Sequence, residues 1–403
     1  MPSHPDRRKL AYNKTLVERH PMPENKMLSQ RPLQSVNRLL AAALFCAVFA
    51  PNSQAQDSKL APEKLTQIES AVAKFMSTTH VPGLSVSVVE NGQYEWSAGF
   101  GLADAENNSP ATEHTLYRLA SISKSLTATA ALELYERGQL DLDAPVQKYC
   151  PAFPPKQSPM TTRQVMGHLA GIRHYKGGPD DQEIGNTKHF DNPIQAGLDF
   201  FKNDALVSDP GKTFHYSTQG YTVVGCVIEG ASSARYVDFM RQNVFLPAAM
   251  DHTQVDDRFA IIPYRTRFYQ KTDSGTVQNA DFLDSSYKIP GGGWLSSAED
   301  MAKFEVAILN DKLLKRPTRD LMWTPLKPSD GSKDGYALGW GKGEEAGIEV
   351  VSHTGGQQGT STAFLIAPTQ KDGVVVLTNM EDIAVRDLAV EILKVLVGVT
   401  PKK

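Results

Sequence analysis

Hydrophobic and polar positions along the chain switch between a helical and a strand period. Between 60 and 78, Leu65, Ile68, Val72 and Phe75 recur at three- and four-residue steps, and Pro82-Gly83 ends the run. LSVSVVE (84–90) and QYEWSAGF (93–100) flank Asn91-Gly92, a two-residue turn between β-prone runs, which predicts a hairpin. Within 117–138, the residues from Ser121 onward return to helical spacing. Leu126, Ala130 and Leu134 form one row, and Gly138 is the closing cap. From 140 to 290 the pattern is mostly helix and loop. It holds a loop-rich connection at 140–151, a short helix within 161–175, an apolar helical stretch at YTVVGCVIEG and a helix over 232–250. Ser296-Ser297-Ala298-Glu299 reads as a capping box opening a helix to about Leu309. Strands return at 336–341, 348–353, 361–368 and 373–379, before a last helix over about 382–397.

Strands therefore come first and last, with helices between. The expected fold class is α+β: an α/β sandwich with a mostly antiparallel sheet, covered by the terminal helices, plus a helical subdomain. The sheet would draw on about 60–116 and 330–400, the helical subdomain on about 117–329, and a cleft between them is a natural site.

The N-terminus has a different character. LLAAALFCAVFA (39–50) follows Arg31 and Arg38 and precedes Ser53-Gln54-Ala55, the layout of a secretory signal with cleavage after Ala55. About 12 apolar residues are short for a bilayer span. An uncleaved anchor and a mitochondrial presequence are the competing readings, and Met27 is an alternative start. The protein is thus expected to be periplasmic or secreted, with no stable membrane span in its mature form. Residues 1–55 hold a surplus of five positive charges, so the formal charge of −3 becomes −8 without them. That balance argues against nucleic acid as a partner. Cys150 and Cys226 would remain. Cys226 reads as a small buried hydrophobe, and a Cys150–Cys226 bridge is left open. No His/Cys cluster has metal-ligand spacing, and no metal or cofactor is expected.

Candidate chemistry starts at Ser121 and Lys124. Three apart on a helix, they share a face near its N-terminus, where free N–H groups favour developing negative charge. A lysine desolvated enough to be neutral part of the time can take the serine proton. Two further stretches fit the cleft: Tyr216-Ser217-Thr218 after Pro210-Gly211, and His353-Thr354-Gly355-Gly356 at a strand end, where glycines let a substrate approach the backbone.

In that order the three motifs resemble those of the penicillin-recognising serine hydrolases, in the class C beta-lactamase-like branch, peptidase family S12. SISKSLT, DLDAPVQKY, HLAGIRHY, HYSTQGYT and SHTGG carry the resemblance, which spans roughly 60–395 and points to the mitochondrial and bacterial members of that branch. It implies a serine hydrolase that cleaves amide or ester bonds of a small peptide or ester through an acyl-enzyme on Ser121. Lys124 would relay the proton. Tyr216 would be general base or acid, its phenol lowered by the lysine charge. The N–H groups of Ser121 and Gly356 would form the oxyanion hole, with His353, Thr354 and Gly355 lining the substrate edge. Two departures stand out. Thr218 replaces the usual Asn of the second motif, and His353 replaces the Lys of the third. A histidine partly charged at pH 7 would bind beta-lactams and peptide C-termini weakly, favouring endopeptidase or esterase activity, with an anionic substrate's KM rising between about pH 6 and 8. His168 and His174 are expected to brace the cleft. Trp294 could line the cleft or fill the core, and 177–192 reads as a surface loop or lid. A second reading keeps the fold without the catalysis: a binding or scaffold protein that self-assembles as a homo-oligomer.

Overall fold

The structure is a computed structural model and describes residues 58–177, 182–332 and 335–399. The expected leader at 1–55 lies outside the described residues. Seven strands build one antiparallel sheet: β1 (Gly83–Glu90), β2 (Gln93–Asp104), β3 (Ser109–Pro110), β4 (Gly341–Glu345), β5 (Ile348–Gln357), β6 (Thr360–Ala367) and β7 (Asp372–Thr378). Across the sheet their order is β3-β2-β1-β7-β6-β5-β4. The Asn91-Gly92 hairpin forms as expected. Both turn residues have positive φ, +53° and +72°, which suits the twist of the flanking strands. The β1–β7 pairing, from Leu84 opposite Thr378 to Val89 opposite Gly373, joins early and late segments in the α+β architecture that the pattern of strands implied.

The long helices are α1 (Pro62–Thr79), α2 (Ser123–Glu136), α3 (Thr218–Ser232), α4 (Ala298–Leu309) and α5 (Val385–Val397). α1 and α5 cover one face of the sheet and α4 the other. With both faces buried, the middles of β6 and β7, 363–367 and 374–377, read as unbroken apolar runs. Ala363, Leu365, Val374 and Val376 pack with α1 and α5, while Phe364, Ile366, Val375 and Leu377 face Phe304 of α4 and the helical core. α2 runs through that core, buried from Ser123 to Leu132. A disulfide joins Cys150 to Cys226 of α3, so Cys226 is a covalent anchor and not merely a small apolar side chain.

The helix at Ser121 forms as expected: Tyr117–Arg118 is a short strand paired with Trp294–Ser296, Ala120–Ile122 is a single 3-10 turn, and α2 starts at Ser123. Three expectations are corrected. The helix over 232–250 is broken into Tyr236–Met240, a π-helical turn Arg241–Phe245 and Leu246–Ala248. Pro247 has no N–H to give to Asn243, and the preceding turn widens. Residues 336–341 are a turn and not a strand. Ala337 N–H donates to the Trp340 carbonyl at 2.7 Å and Gly339 sits at φ +81°, with only a bridge between Tyr336 and Gly341. The stretch 177–192, of which 178–181 lie outside the described residues, is not all surface loop: Glu183 is buried and pairs with Arg173 at 2.6 Å. Among the described residues no helix is long and apolar enough to cross a membrane.

Candidate active site

Ser121 lies in the tight turn Ala120–Ile122 ahead of α2. Its position is set from both sides. Leu119 N–H donates to the Trp294 carbonyl at 2.9 Å, and the Leu119 carbonyl accepts from Thr362 Oγ1 at 3.1 Å. Gly355 of β5 packs straight onto this turn. A Cβ there would lie 2.3 Å from the Leu119 carbonyl oxygen, so glycine is a steric requirement.

Lys124, in the first turn of α2, is fully buried, with Nζ 3.0 Å from Ser121 Oγ and 3.2 Å from Thr218 Oγ1. Nζ also donates to the Gly291 carbonyl at 2.8 Å. Burial, reinforced by the charge of Lys288, holds its amine well below the usual lysine range. Tyr216 lies beside Ser121, and Lys124 Nζ lies 4.8 Å from its ring centre. The expectation for Tyr216 was a phenol lowered by the lysine charge. It is overturned: burial raises the phenol above its ordinary value, only partly offset by the neighbouring Ser121. A desolvated lysine that sheds its own proton has little charge with which to lower a neighbour.

The Tyr216-Ser217-Thr218 segment is held by the two histidines expected to brace the cleft. Ser217 N–H donates to His168 Nδ1 and Thr218 N–H to His174 Nδ1, each at 3.2 Å. His168 also stacks on Tyr216, with ring centres 4.3 Å apart. Ser217 caps α3 through Gly220 N–H at 2.9 Å, so Thr218 opens the helix with its hydroxyl on Lys124. Trp294 belongs to the core. It is 1% exposed, and its Nε1–H donates to Tyr236 Oη at 3.2 Å.

The opposite wall is β5. Its partner β4 pairs only as far as Ser352, so His353 to Gln357 are paired with β6 alone. That leaves one strand edge along a cleft of about 500 Å³ lined by Ser121, Tyr216, Tyr336, His353, Thr354 and Gly356, among others. Thr354 and Gly356 are exposed, and a Cβ on Gly356 would meet nothing within 4 Å. His353 Nδ1–H donates to the Thr354 carbonyl at 2.6 Å, and Nε2 accepts from Tyr336 Oη at 3.0 Å. Burial, above all, pushes the ring down to about 3. His353 is therefore neutral at pH 7, which corrects the expectation of partial charge.

All eight residues singled out from the sequence, Ser121, Lys124, Tyr216, Thr218 and His353 to Gly356, belong to this cleft or its immediate support. Sequence reasoning missed Tyr336, the Gly291 carbonyl and Lys288. Tyr336 was hidden in a segment read as strand. The only signal for the other two was the run Lys288-Ile289-Pro290-Gly291-Gly292-Gly293 beside Trp294.

The family model described as Beta-lactamase matches residues 68–396. The human serine beta-lactamase-like protein LACTB, mitochondrial, is 32% identical, with 77% of this chain and 76% of the relative covered. Among solved structures, the octameric penicillin-binding protein homologue from Pyrococcus abyssi superposes with a TM-score of 0.74 at 26% identity, over 84% of this chain and 78% of that one. The D-amino acid amidase from Ochrobactrum anthropi SV3 shares the fold with a TM-score of 0.72 at 21% identity, over 83% of this chain and 99% of that one. The chain belongs to the beta-lactamase family.

Proposed function

We propose that this protein is a serine hydrolase that cleaves amide or ester bonds through an acyl-enzyme on Ser121. The observation that carries the reading is a fully buried lysine, held well below its ordinary protonation range, 3.0 Å from a serine hydroxyl at the floor of an open cleft. Neutral Lys124 takes the Ser121 proton as Oγ bonds to the substrate carbonyl carbon. The carbonyl oxygen becomes an oxyanion, for which the backbone N–H groups of Ser121 and Gly356 are the donors. When the bond to the leaving nitrogen or oxygen breaks, the protonated Tyr216 phenol gives it a proton and recovers one from Lys124. Water then cleaves the acyl-serine by the reverse of these steps.

The substrate is one that can lie extended along the free edge of β5, adding main-chain hydrogen bonds there. A neutral His353 offers no cation for a terminal carboxylate, which supports an ester or an internal peptide bond over a beta-lactam. The test is intact-mass spectrometry after incubation with a fluorophosphonate and, separately, a penicillin. The expected result is a fluorophosphonate adduct absent in Ser121→Ala. No adduct on the folded wild type would sink the reading.

The Cys150–Cys226 bridge supports an oxidising compartment, consistent with export directed by the segment ending near Ala55. N-terminal sequencing of the exported protein tests this. A homo-oligomer is favoured by a separate observation. Phe259, Ile261, Tyr264 and Phe282 are 71%, 99%, 59% and 54% exposed, and Arg258 lies over the rings of both Phe259 and Phe282. Light scattering at monomer mass would remove it.

A further inference from the structure

A second buried lysine sits behind the first, and the acyl-transfer steps above make no use of it. Lys288 is 3% exposed and immediately precedes the helical turn Ile289–Gly292. That turn supplies the Gly291 carbonyl to which Lys124 donates. Lys288 also lines a cavity of about 10 Å³ with Thr218, whose hydroxyl is 3.2 Å from Lys124 Nζ. Lys288 thus stands three residues before the carbonyl that Lys124 contacts, and it shares a cavity with the threonine beside Lys124.

Among the described residues no carboxylate pairs with Lys288. Its Nζ forms no hydrogen bond or ion pair among the described residues. It lies 5.5 Å from the Tyr175 ring centre and 5.6 Å from that of Tyr287, which offers only a weak face interaction. Glu183 lines the same cavity, but it is paired with Arg173 at 2.6 Å and bonded by Gln219. Burial of most of this side chain costs hydration of the ammonium, where a methionine would pack at no such cost. A cavity of this size admits at most about one water, so Lys288 does not reach substrate from there.

We propose that Lys288 is a positioning residue of the Ser121 site, set behind Thr218 and the Gly291 turn so that its ammonium keeps Lys124 free of the proton it must accept. This rests on Lys124 being the base that serves Ser121. Burial, with the Arg118 charge second, brings Lys288 down to about 7. Its charge is therefore present on the acid side, where Lys124 would otherwise protonate, and fades as pH rises. The other groups facing Lys288 are Arg118, Glu183 with its partner Arg173, Tyr175 and Tyr287. Around Lys124 they are Tyr216 and Tyr221, with His168, His174 and His353 nearby. Both His168 and His353 are held neutral by burial and do not duplicate the effect.

Two readouts on wild type, Lys288→Met and Lys288→Arg test it: the pH profile of fluorophosphonate labelling, and the titration of Lys124 followed by NMR of ε-13C-lysine. In Lys288→Met the acid limb should move up by about one pH unit, roughly tenfold in rate at a pH on that limb, with the profiles converging as pH rises. The Lys124 midpoint should move by the same amount. Lys288→Arg, charged throughout, should keep the limb at or below its wild-type position. A folded Lys288→Met with both readouts unmoved overturns the proposal and leaves the acyl-enzyme reading standing. If wild type is not labelled yet the Lys124 midpoint shifts in Lys288→Met, the acyl-enzyme reading fails and the coupling of the two lysines survives.

Discussion

The two walls of the cleft are built on opposite principles. The wall made by α2, Thr218 and the Gly291 turn is buried and polar, with Lys124 and Lys288 both under 4% exposed. The β5 wall is a half-paired strand with exposed Thr354 and Gly356. Burial moves protonation equilibria by whole units, so the first wall can make a lysine behave as a base at neutral pH. Exposure leaves unpaired main-chain groups, so the second can hold an extended substrate but cannot tune a proton. His353 shows the division by crossing it: it stands on the recognition wall, yet its ring is buried, and it loses the charge that a motif residue in its place would use.

The largest predicted effect tests the buried wall. Lys124→Met should lower the labelling rate of Ser121 by about 10³-fold, because in the proposed mechanism it removes the base and leaves the hydroxyl in place. The variant should stay folded, since the lysine is already surrounded by core residues. A rate within tenfold of wild type would mean another group takes the proton. Next comes the anchor of the same wall. The Cys150–Cys226 bridge ties α3, which begins at Thr218, across a separation of 76 residues. Chain-entropy arithmetic puts its contribution at about 4.5 kcal/mol. The Cys150→Ser/Cys226→Ser variant should show a correspondingly lower urea midpoint, and an unchanged midpoint would mean the bridge constrains nothing.

The local motifs of both walls were legible in sequence. Ser121 and Lys124 at a three-residue spacing, and the order of Tyr216-Ser217-Thr218 and His353-Thr354-Gly355-Gly356 after them, are local patterns. The hairpin at Asn91-Gly92 and the strands β6 and β7 follow from local periodicity in the same way. What escaped were features decided by tertiary contact. Residues 336–341 alternate like a strand, but Gly339 at φ +81° turns the chain so that Ala337, Leu338 and Trp340 all enter the core. The sign of the Tyr216 shift depends on how far Lys124 is desolvated, and that burial comes from α3 and the Gly291 turn, distant in sequence. Lys288 carries no motif at all.

A smaller effect should separate adjacent residues of β5. In Gly355→Ala the new methyl would sit 2.3 Å from the Leu119 carbonyl oxygen, so the Ser121 turn must shift. A cost of about 1–3 kcal/mol and a clear loss of labelling are expected. In Gly356→Ala the methyl points into open cleft. Stability should hold, and kcat/KM should fall mainly for bulky esters. Equal losses of stability in the two variants would show that the edge is not free.

The smallest expected effect is the most discriminating for His353. With its ring near 3, the KM for an anionic ester should stay flat between pH 6 and 8, whereas a rise would restore the charged-histidine reading. Stability carries the complementary signal. The ring is depressed from 6.5 to about 3 on folding, so below about 6.5 the unfolded chain takes up a proton that the folded chain refuses. The contribution of a neutral His353 is therefore intact above about 6.5 and lost as pH falls towards 3. His168 is shifted in the same direction by burial, so wild type alone would report both rings. The difference in urea midpoint between wild type and His353→Gln isolates one of them: it should be constant above pH 7 and shift against wild type as the pH is lowered to 5. A difference that does not change with pH would mean that the His353 ring is protonated in the folded protein as readily as in the unfolded chain, and that the recognition wall is wetter than its burial indicates.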